Sequence, residues 1–407
     1  MYGILKGFRI IEASSFVASP SAGLYLAQLG AEVIRVDAIG GGPDYKRWPK
    51  STSGDSFYWE GLNKSKKSIT INIGSDEGKA LMGELVAAPG KQAGVLLTNF
   101  PQSGFLSYDK LKALRSDVIV ARVMGQADGG PAVDYTVNCA LGYPLMTGPQ
   151  SLGDEPVNHV LPAWDLLAGA YTAFSLLAAD KHRLMTGQGG EYKISLADIG
   201  ITAAANLGQV AEVLYQNEDR QRYGNELYGA FGKDFVTRDG QRMMIIAITR
   251  RQWRGLLKVL DISAEVAEIE AARGVSFDHD EGVRFEHRDA LYPLVESRVS
   301  QRSAAELQAA LEGVGGCFGK FQSLRDAVDD KALVRENPIF SEMQNPSGFS
   351  YPTPGSPLSI SDQDRDPAVV APVLGAHSRE VLEDVLDYSE DKIDQLMEQG
   401  IVGGDIQ

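Results

Sequence analysis

Apolar and polar positions near the start of the chain follow the order strand, helix, strand, which predicts a βαβ unit. Phe8–Glu12 and Ala31–Asp37 are short apolar runs typical of buried strands. Pro20–Leu29 between them reads as a helix that ends at Gly30. Further strands of the same character are predicted at Ser68–Ile73, Gly94–Thr98, Val118–Val123 and Tyr192–Leu196. This order predicts an α/β fold with a parallel, doubly wound sheet.

The stretch from Leu161 to Ala179 is small and apolar apart from one carboxylate, Asp165. A helix of this composition is expected to be buried on all faces. An aspartate in the first turn is well placed to cap free backbone N–H groups and to meet the positive end of the helix dipole. Asp165 therefore has two interpretations, as a helix cap or as a functional carboxylate.

A shift to polar and charged residues at Asn217–Arg220 indicates a domain boundary. Ala197–Tyr215 before it reads as one long helix, and Asp234–Ile248 after it reads as a hairpin with its turn at Asp239-Gly240. We predict a large domain from residues 1–216, a small domain from 217–325 and a return segment, 326–407, that completes the large domain.

Composition excludes several classes of partner. The formal net charge of −15 disfavours nucleic acid and anionic membranes. No run of about 18 apolar residues is present to span a membrane, and the first residues lack the apolar core of a signal peptide. The two cysteines lack metal-ligand spacing. A cytoplasmic protein without a bound metal is expected.

Loops at the carboxyl ends of parallel strands are where ligands bind in open α/β sheets. The first such turn, which contains Phe16, Val17 and Ala18, lacks the G-x-G-x-x-G fingerprint of dinucleotide sites, so a nicotinamide cofactor is not expected. The loops Asn99-Phe100 and Gly125-Gln126 follow two later strands. Four or five basic residues stand out in this acidic chain, within Tyr45–Trp48 and Asn63–Lys67. They are either solvated loop and edge-strand side chains or a basic cluster that binds phosphate.

Several stretches in this order resemble the class III CoA-transferase (CaiB/BaiF) family over nearly the whole chain. They are Gly7–Glu12, Ala18-Ser19-Pro20, Leu29–Asp37, Asn63–Ile69, Asn99-Phe100, Thr186–Gly189 and Leu374–His377. The resemblance implies a Rossmann-like large domain, a smaller α+β domain and an interlocked homodimer. It also implies an acyl-CoA substrate, no cofactor beyond the CoA moiety, and Asp165 as the nucleophile.

The same resemblance implies further site residues. Asp134 matches an acidic position near the active site, and Trp48 matches a tryptophan near the acyl group. His159 is a candidate to bind a free carboxylate of the substrate. The glycine-rich stretch that contains Tyr228, Gly229 and Gly232 is expected to act as a lid that keeps water from a reactive anhydride. For Asp134 and His159 the alternative is a solvent-exposed side chain, and for Trp48 it is a packing role. For the glycine-rich stretch it is a plain entry loop to the hairpin.

Two departures from the family pattern change the expected site. No arginine closely follows Asn99-Phe100, so phosphate contacts must come from elsewhere, with Arg47, Lys64 and Lys67 as candidates. The family also has a branch of racemases, which have a histidine at the position of Val133 in this chain. Valine is not an acid or a base, which argues against racemisation.

Three functions remain open at this point. A carboxylate held close to a thioester and away from water can attack it, so Asp165 is expected to form an aspartyl–acyl anhydride and then an aspartyl-CoA thioester. Further stretches, among them Gly41–Pro49 and Val157–Asp165, resemble a branch that moves CoA between two carboxyl groups of one substrate. The first alternative is transfer between two molecules. The second is CoA binding without turnover, with Asp165 as a helix cap.

Overall fold

The computed structural model describes residues 1–404. Two compact units are present. Unit 1 contains Met1–Leu141, His159–Tyr215 and the chain from Lys331 onward, and unit 2 contains Gly142–Asn158 and Gln216–Asp330. Residues 142–158, which the sequence analysis placed in the large domain, lie in unit 2.

Twelve strands are present in residues 1–404. In chain order they are β1 (Arg9–Ala13), β2 (Glu32–Asp37), β3 (Lys67–Ile71), β4 (Val95–Thr98), β5 (Ile119–Met124), β6 (Gly190–Ser195), β7 (Phe231–Val236), β8 (Arg242–Ala247), β9 (Cys317–Lys320), β10 (Phe340–Gln344), β11 (Ser350–Pro354) and β12 (Val402–Gly403). The first six match the strands predicted from apolar runs to within two residues at each end.

The same part of the chain forms seventeen α-helices. They are α1 (Ala18–Gln28), α2 (Phe57–Leu62), α3 (Asp76–Ala87), α4 (Tyr108–Leu114), α5 (Asp134–Ala140), α6 (Tyr143–Met146), α7 (Ala163–Thr186), α8 (Leu196–Asn206), α9 (Gln209–Gln216), α10 (Arg250–Leu260), α11 (Ser263–Arg273), α12 (Glu281–Glu286), α13 (Arg288–Val299), α14 (Ala304–Glu312), α15 (Leu324–Asp329), α16 (Ser378–Leu386) and α17 (Glu390–Glu398). None of them combines the length and apolar character needed to cross a membrane.

Unit 1 is built on a seven-stranded sheet in the order β12-β3-β2-β1-β4-β5-β6. All neighbours are parallel except β12, which pairs antiparallel with β3. Ile10 and Ile11 are adjacent in β1 but belong to separate apolar clusters on opposite faces, as expected for a sheet covered by helices on both sides. The predicted α/β fold is confirmed. Strand order reverses between β1 and β4, where ligands bind in folds of this class.

Helices α1 and α7 pack closely on one face of this sheet. A Cβ at Gly169 of α7 would lie 2.2 Å from the hydroxyl oxygen of Ser21 and 2.8 Å from the carbonyl oxygen of Ala18. Only glycine permits this approach. Because Asp165 lies one turn before Gly169 on the same face of α7, this contact places Asp165 beside the beginning of α1.

Unit 2 has a core of its own. Its three strands form the antiparallel sheet β7-β8-β9, with the predicted hairpin between β7 and β8. Trp253, Phe277 and Tyr292 are buried in the cluster that joins this sheet to helices α10 to α14. Strands β10 and β11 form a separate hairpin in unit 1.

Two predictions about helices were wrong, and three helices were not predicted. Ala197–Tyr215 is not one helix, because Gly208 has a φ of +78° and separates α8 from α9. The charged middle of unit 2, which carried no helix prediction, holds α11, α12 and α13. Helix α7 is not buried on all faces, since apolar side chains of Leu167, Tyr171 and Phe174 are exposed in the single chain.

Candidate active site

The carboxyl ends of β1, β2 and β4 surround a cavity of about 210 Å³ in unit 1. Phe100 lines this cavity together with Ser14, Ser15 and Asp37. The loops that follow β1 and β4 are joined by two hydrogen bonds of Asn99: its side-chain oxygen accepts from the Ser15 N–H at 3.2 Å, and its amide donates to the Ser15 carbonyl at 3.0 Å. The predicted Asn99-Phe100 loop therefore lies at the β1/β4 reversal.

The first turn of α7 is capped from another helix. The backbone N–H groups of Trp164 and Asp165 donate to one oxygen of Asp134, at 2.7 and 3.1 Å. Asp134 is the first residue of α5 and is only 2% exposed. The residue before α7, Pro162, makes no side-chain cap. Asp134 thus fills the capping role that the sequence analysis considered for Asp165.

His159 binds the second oxygen of the same carboxylate. Its Nε2 lies 2.6 Å from Oδ1 of Asp134. The ring also meets Tyr135 edge-on, with centroids 5.7 Å apart. The Trp164 indole N–H donates to the side-chain oxygen of Asn138 at 3.1 Å, which ties the head of α7 to α5 a second time. Asp134 therefore holds both His159 and the backbone that carries Asp165.

The Asp165 carboxylate accepts no hydrogen bond and forms no ion pair with residues 1–404. Burial, and after it the charge of Asp134, raise the pKa of Asp165 to about 6, with Arg47 acting in the opposite direction. Since this side chain caps nothing, the helix-cap interpretation of Asp165 is wrong. A half-buried carboxylate without partners at a helix N-terminus is suited to nucleophilic attack.

The turn before α1 is held by a buried ion pair. Phe16 has a φ of +70°, and its N–H donates to Oδ2 of Asp44 at 3.0 Å. Arg35 in turn donates to both oxygens of Asp44. The Phe16 N–H is therefore occupied. Within the predicted turn, Val17 and Ala18 remain the residues whose N–H groups at the start of α1 are suited to bind an oxyanion.

The Arg47 charge acts on Asp165, and its guanidinium lies over two aromatic rings. Its guanidinium carbon is 5.4 Å from the ring centres of both Phe16 and Tyr58. The Tyr58 hydroxyl oxygen is buried without a hydrogen-bond partner among residues 1–404. The pKa of Tyr58 is raised to about 12, chiefly by burial, and Asp165 is one of the charges that contribute to this rise. Trp48 is 75% exposed, so no packing role is evident for it in the single chain.

Tyr58 was missed by the sequence analysis. It lies in α2, which begins after Ser56 caps the N–H of Trp59 at 3.1 Å. A capping serine shortly after the basic Arg47 segment was the available signal for a helix here. Nothing in the sequence, however, indicates which side of that short helix meets the Asp165 carboxylate.

The three lysines of the basic cluster have different environments. Lys66 is buried and binds Glu12, with its Nζ 3.0 Å from Oε1. Lys67 forms ion pairs with Glu32 at 2.9 Å and with Glu380 at 2.8 Å. Lys64 is 5% exposed and has no carboxylate partner among residues 1–404, and burial lowers its pKa to about 8. Lys64 is therefore the lysine of this cluster that an anionic ligand would stabilise most, whereas Lys67 already has two carboxylates.

The remaining predicted residues lie in two places. Gly125 and Gln126 follow β5 in unit 1, where a Cβ at Gly125 would meet the Ala132 nitrogen at 2.3 Å. Tyr228 and Gly229 lie in a loop of unit 2, and the Tyr228 ring is 4.1 Å from the guanidinium carbon of Arg220. Gly232 lies within β7, so the loop of the predicted lid ends before this strand.

No group of three or more His, Cys, Asp or Glu side chains suited to a metal ion is found across residues 1–404. The residues around Asp165 supply one unpaired carboxylate, one guanidinium, a buried hydroxyl and helix N–H groups. This set is suited to acyl transfer, in which a carboxylate attacks and nearby donors stabilise the oxyanion.

Comparison with known proteins identifies the chemistry of the relatives. Residues 5–378 match the sequence model of CoA-transferase family III. The chain is 45% identical to the 2-methylfumaryl-CoA isomerase of Chloroflexus aurantiacus over 406 residues, which covers 99% of each protein. It is 28% identical to the succinyl-CoA:glutarate CoA-transferase of Mus musculus, covering 98% of this chain and 90% of that protein.

The fold has solved counterparts. A CAIB/BAIF family protein from Brucella suis superposes with a TM-score of 0.75 at 24% identity, over 95% of this chain and all of that chain. The hypothetical protein Rv3272 from Mycobacterium tuberculosis superposes with a TM-score of 0.72 at 22% identity, over 93% of this chain and 98% of that chain. At these identities the likeness concerns the fold.

Proposed function

The chain belongs to CoA-transferase family III and is an enzyme of CoA-transferase type, and from this premise we propose that it converts 2-methylfumaryl-CoA into 3-methylfumaryl-CoA. In this reaction CoA moves from the C1 to the C4 carboxyl group of one molecule. The unpartnered Asp165 carboxylate at the head of α7 is the observation that carries the mechanism. The isomerase from Chloroflexus aurantiacus, 45% identical, supports the choice of substrate.

The proposed reaction begins with attack by a carboxylate oxygen of Asp165 on the C1 thioester carbonyl. The C–S bond breaks, CoA leaves as a thiolate, and an aspartyl–acyl anhydride remains. The thiolate then attacks the aspartyl carbonyl, which yields an aspartyl-CoA thioester and the free dicarboxylate. Attack by the C4 carboxylate on this thioester forms the second anhydride and releases the thiolate again. The thiolate finally attacks the C4 carbonyl, which gives the product and restores Asp165.

The neighbouring residues have distinct roles in this proposal. The N–H groups of Val17 and Ala18 stabilise the tetrahedral oxyanions, and Arg47 attracts the anionic substrate. His159, held by Asp134 at 2.6 Å, binds the carboxylate that is not esterified. Lys64 contacts a phosphate of CoA, because an anion would offset the cost of burying its ammonium group. The steps balance in electrons and atoms, so we propose no cofactor beyond the CoA of the substrate.

Chromatography of the CoA esters tests this function. The full chain is incubated with 2-methylfumaryl-CoA alone, and 3-methylfumaryl-CoA is expected to appear without any added acid. A second reaction contains excess ¹³C-labelled free 2-methylfumarate. Because the dicarboxylate is expected to stay bound between the two transfers, the product should remain unlabelled.

Two other outcomes would decide against intramolecular transfer. Product that forms only when a free acid is added, or that acquires the label, would favour transfer between two molecules. That alternative has its own support in relatives such as the succinyl-CoA:glutarate CoA-transferase. Folded protein that binds CoA but yields no product in either reaction would leave only a binding function.

We also propose that the enzyme is a homodimer. Leu167, Tyr171 and Phe174 are exposed at spacings of four and three residues, so they form one stripe along α7. The two helices that follow also expose apolar side chains: Ile201, Val210, Val213, Leu214 and Tyr215. A monomer rarely exposes so extensive an apolar surface. The interlocked arrangement implied by the family would cover it.

Light scattering of the purified chain checks this proposal. The expected mass is twice the 43.9 kDa of one chain. Leu214→Asp is expected to shift the mass toward that of one chain, since it places a charge within the apolar surface. Leu114→Asp, at an exposed leucine of α4, is the matched control and should leave the dimer intact. A wild-type mass of one chain would contradict the homodimer.

A further inference from the structure

Unit 2 contains a second cavity, of about 410 Å³, that shares no residue with the site around Asp165. Its volume lies in the range of small-molecule sites, about 300–1,000 Å³. Six charged side chains line it: Arg222, Lys233, Arg242, Arg288, Glu226 and Asp234. Four are cationic and two are anionic, so the lining is net positive although the whole chain carries −15.

Both carboxylates of this cavity are already paired. Glu226 accepts from Nε of Arg288 at 2.9 Å, and Asp234 accepts from Arg242. Arg288 is fixed further by donating to the Phe285 carbonyl at 2.8 Å. These pairs leave the charges of Arg222 and Lys233 without a carboxylate in the lining.

Arg222 is a rigid part of the cavity wall. It is 5% exposed, and its guanidinium donates to the carbonyl oxygens of Gly153, Thr147 and Glu155. Carbonyl oxygens satisfy its hydrogen bonds but carry no formal charge. The positive charge of Arg222 is therefore buried without a carboxylate partner in the described part of the chain, which is a costly arrangement unless an anion approaches.

Lys233 supplies the second uncompensated charge. It lies on β7, is half-buried, and its ammonium nitrogen is 5.1 Å from the ring centre of Tyr292. A cation near an aromatic ring is stabilised only partly by that ring. The Lys233 ammonium group, unlike the Arg222 guanidinium, forms no hydrogen bond or ion pair with residues 1–404, so it is available to a ligand.

We propose that this cavity binds a small dianion, such as phosphate or a short dicarboxylate. Two charges are inferred because two cations of the lining lack carboxylates. Lys233 contacts the anion directly, and the guanidinium groups of Arg242 and Arg288 offer N–H donors beyond those used by Asp234 and Glu226. The cavity shares no lining residue with those assigned to CoA transfer, so the failure of either proposal leaves the other standing.

Isothermal titration calorimetry with inorganic phosphate tests the site. The full chain is titrated at low ionic strength, first alone and then with saturating CoA, which occupies the phosphate sites of unit 1. We expect one saturable phosphate event per chain that persists with CoA present. Lys233→Gln should weaken it at least tenfold, and Lys233→Arg should restore most of it. Lys258→Gln, an exposed lysine of α10 in the same unit, should leave it unchanged.

A second titration, with succinate in place of phosphate, distinguishes a phosphate group from a dicarboxylate as the ligand. If phosphate binds more strongly, the site is assigned to phosphate groups; if succinate binds more strongly, it is assigned to dicarboxylates. Both results support a dianion site. Absence of saturable binding of either anion would overturn the proposal. Phosphate binding that CoA abolishes would also overturn it. The same holds if Lys233→Gln and Lys258→Gln weaken phosphate binding equally while both variants keep the wild-type melting temperature.

Discussion

Asp165→Asn is expected to lower kcat by about 10⁴-fold or more, because a carboxamide cannot supply the nucleophilic oxygen that forms the anhydride. The substitution is not expected to destabilise the fold. Burial and Asp134 raise the pKa of Asp165 above its ordinary value, so the ionised carboxylate costs stability at neutral pH. Removal of that charge should leave the melting temperature unchanged or higher. Steady-state turnover and thermal unfolding of the same samples measure the two effects.

The chain offers a matched control for this substitution. Asp198 is the third residue of α8, as Asp165 is of α7, but Asp198 is exposed. Asp198→Asn should therefore keep wild-type turnover. Mass spectrometry of the Asp165→Asn sample shows whether the asparagine has deamidated back to aspartate. Wild-type activity in an asparagine variant of intact mass would remove Asp165 from the role of nucleophile.

Asp134→Ala is expected to lower kcat/KM by about 10²-fold, the cost of misplacing a reacting group by about 1 Å. The alanine leaves the N–H groups of Trp164 and Asp165 without their acceptor, at a cost of about 1–3 kcal/mol in unfolding free energy. His159 loses its contact with this carboxylate at the same time. Both effects act on the position of Asp165, so Asp134 is a positioning residue.

Asp134→Asn separates the charge of this residue from its capping role. An amide oxygen still accepts from the head of α7, so stability should be largely kept. With the Asp165 pKa near 6, wild-type kcat/KM should fall below about pH 6 as the nucleophile is protonated, approaching tenfold per pH unit. This fall in kcat/KM at acidic pH is the acidic limb of the pH profile. In Asp134→Asn the acidic limb should move to lower pH, because the Asp134 charge raises the pKa of Asp165.

Asp180 provides the control for the Asp134 variants. It is also buried and lies in α7, where it accepts from Arg183 at 2.6 Å and from Gln92 at 2.9 Å. Asp180→Ala should lower the melting temperature while leaving the acidic limb in place. An unchanged limb in Asp134→Asn, with activity losses that merely follow stability, would contradict the positioning role.

The order of secondary structure in unit 1 followed from the sequence because it depends on local pattern. The apolar runs that became β1 to β6 lie in a sheet covered on both faces, where neither side of a strand meets water. The position of Asp165 in the first turn of α7 was also predictable, as was the family. The break between α8 and α9 was not predicted, because a single glycine interrupts an otherwise continuous helical pattern.

Only the tertiary structure decided what each polar residue of the site does. Asp134 caps a helix that begins far along the chain, at Ala163, and this contact exists because α5 packs beside α7. Lys66 and Lys67 are neutralised by carboxylates from distant elements, whereas Lys64 is not. Local sequence sets which backbone conformations are favourable, but charge pairing and desolvation depend on which side chains the fold brings together. For that reason the sequence identified Asp165, and the fold alone showed its carboxylate to be unpartnered.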